Sequence, residues 1–419
     1  MTVTIPAGRR TGCVRIPASK SQAHRLLICA ALAKTDSVLV CDGISKDIAA
    51  TIACLNALGA DIQKDGEGKL RVHPIRGCAN GETKHLFCGE SGSTLRFLIG
   101  VVGALGETAI FHMEGKLPSR PVDALTDVLC DHGMKFEHRG SELLVSGRLT
   151  AGSFEIPGNI SSQYISGLLF ALPLLEGNST LTVTGNIESE SYIRMTERAV
   201  LSSGIRFTKK EQTYTVPGRQ SYLTEEMRLV EADWSNAAFF LCMGAMSEKG
   251  VSVQNLPLQS AQGDAQILQV LRKFGSEVTV NGDCVTVKRK ALRGITVDAR
   301  QIPDLVPTIC ALAAGAEGTT KIINAERLRL KESDRLATTA GMLAALGAEV
   351  LQTEDGLIIH GKPSLPGGTA DAANDHRIAM AAAVAAGHCR GCVTVNDAQC
   401  VDKSYPGFWA DLEMLEVTQ

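Results

Sequence analysis

The sequence predicts an α/β fold in which six repeated β-α-β-α-β-β units build a two-lobed, inside-out barrel, three units to a lobe. Two features predict it. Helix ends of the form LGAD, HGMK, SGIR, FGSE and LGAE place a glycine at Gly59, Gly133, Gly204, Gly275 and Gly347, at spacings of 74, 71, 71 and 72 residues by subtraction. A unit of that length fits about six times into 419 residues. The second feature is a set of six helices rich in Ala, Leu and Gly, beginning at SKSQAHRLLICAAL, ESGSTLRFLIGVVGAL, NISSQYISGLLFALPLL, ADWSNAAFFLCMGAM, PDLVPTICALAAGA and DHRIAMAAAVAAG. Helices that are apolar nearly all round belong inside, with the more polar ones outside.

The remaining elements follow in order. Strands such as SVLVCDG, STLTVTG, GVSVQNL and TTKIINA succeed the inner helices, and shorter strands such as KLRVHP and GLIIHG close each unit. Six units exceed what one core usually holds, so two lobes are the natural division.

The first inner helix carries Ala23, Leu26, Leu27, Ala30 and Ala31 on one face, yet Lys20 and Arg25 sit in its first turns. A helix N-terminus already bears a positive partial charge, so cations there are unfavourable unless an anion joins them. Lys20, Ser21, Arg96, Ser161, Ser162 and Arg377 all fall at the starts of inner helices. Free N–H groups and the dipole make such ends prepared anion sites, and their recurrence points to a highly anionic ligand. For any one helix the plain alternative is a serine N-cap beside a solvated cation.

Composition excludes several classes. The chain is 44% hydrophobic with a net charge of −3 and only 4% aromatic residues, which argues against a nucleic-acid surface. Its longest apolar runs, such as LLFALPLL, fall short of the roughly 20 residues that span a bilayer. Thirteen scattered cysteines and no signal-peptide pattern predict reduced thiols in a cytoplasmic protein. HCRGC (388–392) contains a CxxC, but it lacks a second ligand pair and falls on an ordinary turn into a strand, so no metal site is expected.

PASKSQAHR, GESGSTLRF, SRPVDAL, SSQYISGLL, RLKESDRL, NDHRIAM and DKSYPGF resemble, in order and spacing, the 5-enolpyruvylshikimate-3-phosphate synthase family, over essentially the whole chain. The resemblance implies lobes of residues 1–20 with 233–419 and of residues 21–232, which close on ligand. It implies an enzyme that joins shikimate 3-phosphate to phosphoenolpyruvate and expels phosphate, with no cofactor. The expected partners are these small molecules alone, without nucleic acid or membrane, and the enzyme is expected to act as a monomer.

The same resemblance assigns Lys20, Arg96, Arg120, Arg335, Arg377 and Lys403 to phosphoenolpyruvate or the shared site, with Gly92 and Lys331 beside them. It assigns Ser21, Arg25, Ser161, Ser162, Gln163, Ser189 and Tyr192 to shikimate 3-phosphate. Planar Arg suits bidentate carboxylate and phosphate pairing, Lys acts as a point charge, and hydroxyls both donate and accept. The base and acid of the family correspond to Asp304 in QIPDLVP and Glu332 in LKESDRL, with Lys20 stabilising the tetrahedral intermediate. A carboxylate among cations stays ionised and orients a hydroxyl, while a desolvated Glu can hold a proton. Without the resemblance, Asp304 reads as an N-cap acid and Glu332 as part of a solvated charge run.

Three positions depart from the family pattern. Glu90 and Ser93 stand where Asn and Thr are usual, and Glu90 must either turn away from the ligand or alter affinity. Arg327 stands where an amide is common. Two rivals remain: the sister transferase acting on UDP-N-acetylglucosamine, which has Lys-Asn where this chain has Lys20-Ser21 and a Cys absent from EGKLPSRPVD, and a non-catalytic anion-binding module, which has no use for Asp304 and Glu332.

Overall fold

A computed structural model describes residues 1–66, 68–76 and 81–418. The chain divides into two compact units, Ala18–Val230 and a discontinuous one made of Met1–Pro17 with Glu231–Gln419. These breaks lie at 17/18 and 230/231 rather than at 20/21 and 232/233. The Ala18 amide already bonds to Asp42 O (3.0 Å) and Ser19 caps the first helix, so Lys20 belongs to the 18–230 unit. On the other side of the second break, the Asp233 amide bonds to Pro17 O (3.0 Å).

The 18–230 unit contains helices α1 (Lys20–Ala31), α2 (Lys46–Ala57), α3 (Gly92–Leu105), α4 (Asp123–Cys130), α5 (Ser162–Ala171) and α6 (Glu190–Ser202). The discontinuous unit contains α7 (Trp234–Met246), α8 (Ile267–Phe274), α9 (Val306–Ala313), α10 (Arg335–Ala345), α11 (His376–Ala385) and α12 (Phe408–Glu413). Every residue of α7, α9 and α11 is buried. The outer helices bury a single stripe: on α8 it is Ile267, Val270, Leu271 and Phe274, the i, i+3, i+4, i+7 spacing of one helix face. Burying each such side chain contributes roughly 1.5–3 kcal/mol. Each unit has its own hydrophobic core.

The five glycines of the sequence repeat do what their spacing implies. Gly59, Gly133, Gly204, Gly275 and Gly347 follow α2, α4, α6, α8 and α10 with φ of 103°, 94°, 78°, 98° and 91°. A left-handed residue stops a helix and turns the chain, and glycine adopts it without strain.

Each unit holds three sheets. In the regular pattern Lys84–Gly89 runs parallel to Ala109–Met113, which pairs antiparallel with Glu142–Ser146, which pairs with Lys135–Arg139. The parallel step requires a crossover helix, here α3, and the final hairpin does not. In the sheet of Ser37–Val40 the first strand comes from the far end of the unit, Met227–Leu229.

The sixth repeat is incomplete, lacking a closing hairpin of its own. Gly368–Asp371 and Val393–Asn396 are parallel as expected, but the antiparallel place beside Val393–Asn396 is taken by Thr2–Ile5. After α12, strand Glu416–Thr418 instead joins Arg9–Thr11 at the edge of a five-stranded sheet. No helix among the described residues is long and apolar enough to cross a membrane.

Candidate active site

In the 18–230 unit the starts of the inner helices carry serine caps. Ser19, Ser91 and Ser161 accept from the amides of Gln22, Thr94 and Gln163. Lys20 Nζ, at the first position of α1, lies 3.0 Å from Asp47 Oδ2 on α2. Arg25 is 2% exposed and points along the helix toward α6. Its Nε donates to Thr196 Oγ1 (2.8 Å), Nη1 to Ser21 O (2.6 Å) and Nη2 to Tyr192 O (2.9 Å), and it lies 5.0 Å from the Phe97 ring centre. Burial pushes its guanidinium down to about 10. Ser189 precedes α6 in a left-handed conformation (φ 53°), and its carbonyl accepts from the Tyr192 amide (3.0 Å).

Arg96 projects from the second turn of α3. Its Nη1 donates to Gln163 Oε1 (3.1 Å) and Nη2 to Pro121 O (2.8 Å), while Gln163 Nε2 donates to Ser93 Oγ (2.9 Å). Gly92 is what lets two guanidiniums converge here: a Cβ on it would lie 2.5 Å from Arg96 Nη1 and 2.8 Å from Arg120 Nη1. Arg120 Nε is buried with no hydrogen-bond partner among the described residues. The position of Arg96 depends in turn on Gly167 of α5, where a Cβ would sit 2.4 Å from Arg96 O. Ser162, on the first turn of α5, is buried. Glu90 lies against the loop before Arg120, its Oε2 in the space a Cβ on Gly115 would need (2.5 Å).

In the discontinuous unit the corresponding ends are acidic. Asp233 and Asp375 cap α7 and α11 by accepting from the amides of Asn236 and Arg377. Asp304 lies midway in the repeat, 71 residues from each by subtraction. It is not an N-cap: α9 is entered through a short 3-10 turn, Pro303–Leu305, with no side-chain cap. The Asp304 carboxylate instead accepts from Arg335 Nη1 (2.9 Å) and Arg377 Nη2 (3.1 Å), with Lys331 Nζ at 3.9 Å. Burial alone would raise this carboxyl, but Arg377, Lys331 and Arg335 outweigh it and hold it well below the usual carboxylate range.

Arg335, 1% exposed, also donates through Nη2 to Glu332 Oε2 (2.7 Å) and through Nε to Asp375 Oδ2 (2.8 Å). Burial acts to lower its pKa, but Asp375, Glu332 and Asp304 together raise it. Lys331 is pushed down to about 8, by burial first and then by Arg327 and Arg335, against the opposing pull of Asp304 and Glu332. Arg327 therefore adds charge beside Lys331. Lys403 Nζ donates to Asn374 O (2.6 Å), next to the cap of α11.

Thus Arg25, Ser21 and Tyr192 meet in one place, Gly92, Arg96, Arg120 and Gln163 in a second, and Asp304, Lys331, Glu332, Arg335 and Arg377 in a third. The sequence reading missed Asp47, Thr196 and Asp375, the groups that hold Lys20, Arg25 and Arg335. It also missed Asp264, a buried acid bonded to Ser235 Oγ, which burial and the nearby Asp304 charge raise to about 7. Asp375 lies inside the quoted NDHR string, whereas the others carry no local signal. Cys389 is buried and bonds to Ala385 O, Cys392 is exposed, and no metal-holding cluster occurs among the described residues. The twelve described cysteines are free thiols, and Cys78 lies outside the described residues.

The sequence profile of EPSP synthase (3-phosphoshikimate 1-carboxyvinyltransferase) matches residues 6–412. The chain belongs to the EPSP synthase family. A 3-phosphoshikimate 1-carboxyvinyltransferase of Clostridium acetobutylicum is 42% identical over 410 residues, covering 96% of this chain and 95% of the relative. That of Clostridium kluyveri is 40% identical over 418 residues, covering 99% and 97%. In fold, the EPSP synthase of Acinetobacter baumannii superposes with a TM-score of 0.81 at 24% identity, over 100% of both chains. The enolpyruvyl transferase NikO of Streptomyces tendae gives 0.79 at 19% identity, over 100% of this chain and 99% of the other.

Proposed function

We propose that this member of the EPSP synthase family transfers the enolpyruvyl group of phosphoenolpyruvate to the 5-hydroxyl of shikimate 3-phosphate, as a monomer in the cytoplasm. The observation that carries the mechanistic reading is Asp304, a carboxylate kept ionised by three cations.

Lys20, Arg96, Arg120, Lys331, Arg335, Arg377 and Lys403, with Gly92 leaving room, are assigned to the phosphates and carboxylates of phosphoenolpyruvate and its adducts. Ser21, Arg25, Ser161, Ser162, Gln163, Ser189 and Tyr192 are assigned to shikimate 3-phosphate. Asp304 takes the proton of the 5-hydroxyl as its oxygen bonds to C2 of phosphoenolpyruvate, while Glu332 gives a proton to C3, which becomes a methyl group. Lys20 balances the charge of the tetrahedral adduct. Elimination then returns a proton from that methyl group to Glu332 and breaks the C2–O bond to phosphate, forming the enol ether of the product.

A carboxylate held as low as Asp304 is a weak base while Arg335 and Arg377 grip both its oxygens. An incoming phosphate or carboxylate competes for those guanidiniums, and each shared cation lets the Asp304 pKa rise toward the value that proton transfer needs. On this reading substrate binding arms the base.

The test is phosphate release on mixing the protein with phosphoenolpyruvate and shikimate 3-phosphate, with UDP-N-acetylglucosamine as a parallel acceptor. Release with shikimate 3-phosphate alone is expected. Release with neither acceptor sinks the proposal.

A further inference from the structure

The inner helices of the discontinuous unit have a second set of ends. Around the C-termini of α7, α9 and α11 lies a cavity of about 340 Å³, lined in part by Arg9, Arg289, Lys290, Lys362 and His388. We propose that it is a second anion site, for a small molecule that carries a carboxylate or phosphate on an apolar body.

Two of the cations are already engaged: Lys290 Nζ lies 3.3 Å from Glu277 Oε2, and Lys362 Nζ donates to Gly347 O (3.1 Å). Arg9 and Arg289 are not. Among the described residues neither guanidinium makes a hydrogen bond or an ion pair, although the two face one cavity. Burial and the Arg289 charge both lower the pKa of Arg9, which Glu248 only partly offsets, so the pair repel each other where they stand. His388 adds no charge: its Nε2 lies 3.1 Å from Leu312 O, and burial keeps the ring neutral, pushed down to about 4. Among the described residues the sole acid lining the cavity is Glu317.

The plain alternative is that these cations balance the negative ends of three helices, a favourable placement. The hydrogen bonding speaks against it as the whole account. Carbonyls at those ends are taken by other groups: Gly244 O by the Ser247 amide, Leu312 O by His388, Ala313 O by the Ala316 amide and Ala314 O by the Lys362 amide. The arginines cap none of them. An anion between Arg9 and Arg289 would relieve their repulsion and use the bidentate donors that each presents. Met246, Leu292, Ala316 and Pro363 supply an apolar wall, which selects an amphiphilic anion over a bare one.

This inference is independent of the proposed reaction, since it concerns the opposite ends of these helices. The probe is 4-bromobenzoate, soaked into crystals for bromine anomalous scattering and titrated in solution by ligand-observed NMR. We expect a bromine peak in the cavity, and at least tenfold weaker binding by the R9Q/R289Q double variant. K290Q, whose lysine is already ion-paired, should bind as the wild type does. Both variants should keep the wild-type melting temperature and rate of phosphate release. A bromine peak without binding in solution, no peak in the cavity, or undiminished binding by the double variant each overturns the proposal.

Discussion

Arg25 and Arg335 are both buried, and they are satisfied in opposite ways. Arg25 donates to a hydroxyl and two carbonyls, all neutral, whereas Arg335 donates to three carboxylates, Asp304, Glu332 and Asp375. The helix caps repeat the contrast: Ser19, Ser91 and Ser161 in one unit, Asp233 and Asp375 in the other. A guanidinium held by dipoles keeps its charge for an incoming anion, while one held by carboxylates fixes the charge and protonation of its partners. The same repeated scaffold thus surrounds a buried arginine with neutral partners in one unit and with carboxylates in the other.

The largest effect that tests this contrast is on Asp304. In D304N, kcat should fall by about 10³, within the 10²- to 10⁴-fold range of general-base catalysis, with shikimate 3-phosphate affinity retained by calorimetry. Lost affinity at an unchanged rate would place Asp304 on the binding side and dissolve the distinction. Next comes Arg25→Met, which removes one buried donor from each of two carbonyls and a hydroxyl. We expect about 2–4 kcal/mol of lost stability in urea denaturation. Shikimate 3-phosphate at 100 times its Kd should stabilise the wild type by about 2.7 kcal/mol and the variant far less.

Gly92→Ala should push the Arg96 and Arg120 guanidiniums apart and raise KM for phosphoenolpyruvate about tenfold, about 1.4 kcal/mol, with a small change in melting temperature. An unchanged KM would mean that these two cations do not share an anion.

The smallest effect is a pH profile. Lys331 loses its proton near pH 8 in the folded chain rather than at the ordinary 10.5. Phosphoenolpyruvate affinity should therefore weaken severalfold as pH rises from 7 to 9, and K331M should flatten the curve. Stability moves the other way. Between about 8 and 10.5 the unfolded chain still holds the proton that the folded chain has released, so this group favours folding increasingly as pH rises. Affinity and stability that fall together would assign the titration to another group.

Much of this was legible in the sequence because it is periodic or local. The terminating glycines needed only their spacing, and the inner helices only their unbroken apolar faces. The cations at helix starts were visible as a recurring placement that the helix dipole disfavours. What escaped depends on contacts distant in sequence. Asp47 meets Lys20 across two helices, and Thr196 meets Arg25 across 171 residues. The incomplete sixth repeat escaped because its replacement strand, Thr2–Ile5, lies at the other end of the chain.

That strand exchange bears on how the protein is made. Arg9–Arg15 pairs with Val251–Gln254 and with Glu416–Thr418, and Thr2–Ile5 pairs with Val393–Asn396. A ribosome adding about 5–20 residues per second needs on the order of 10–50 s to pass from the first of these strands to its nearest partner. Throughout that interval the leading segment has no sheet to join, while all of residues 18–230 can emerge and fold behind it. These strands are thus made well before their partners and are among the last to find their place, and their bare edges are where a nascent-chain chaperone has most to protect.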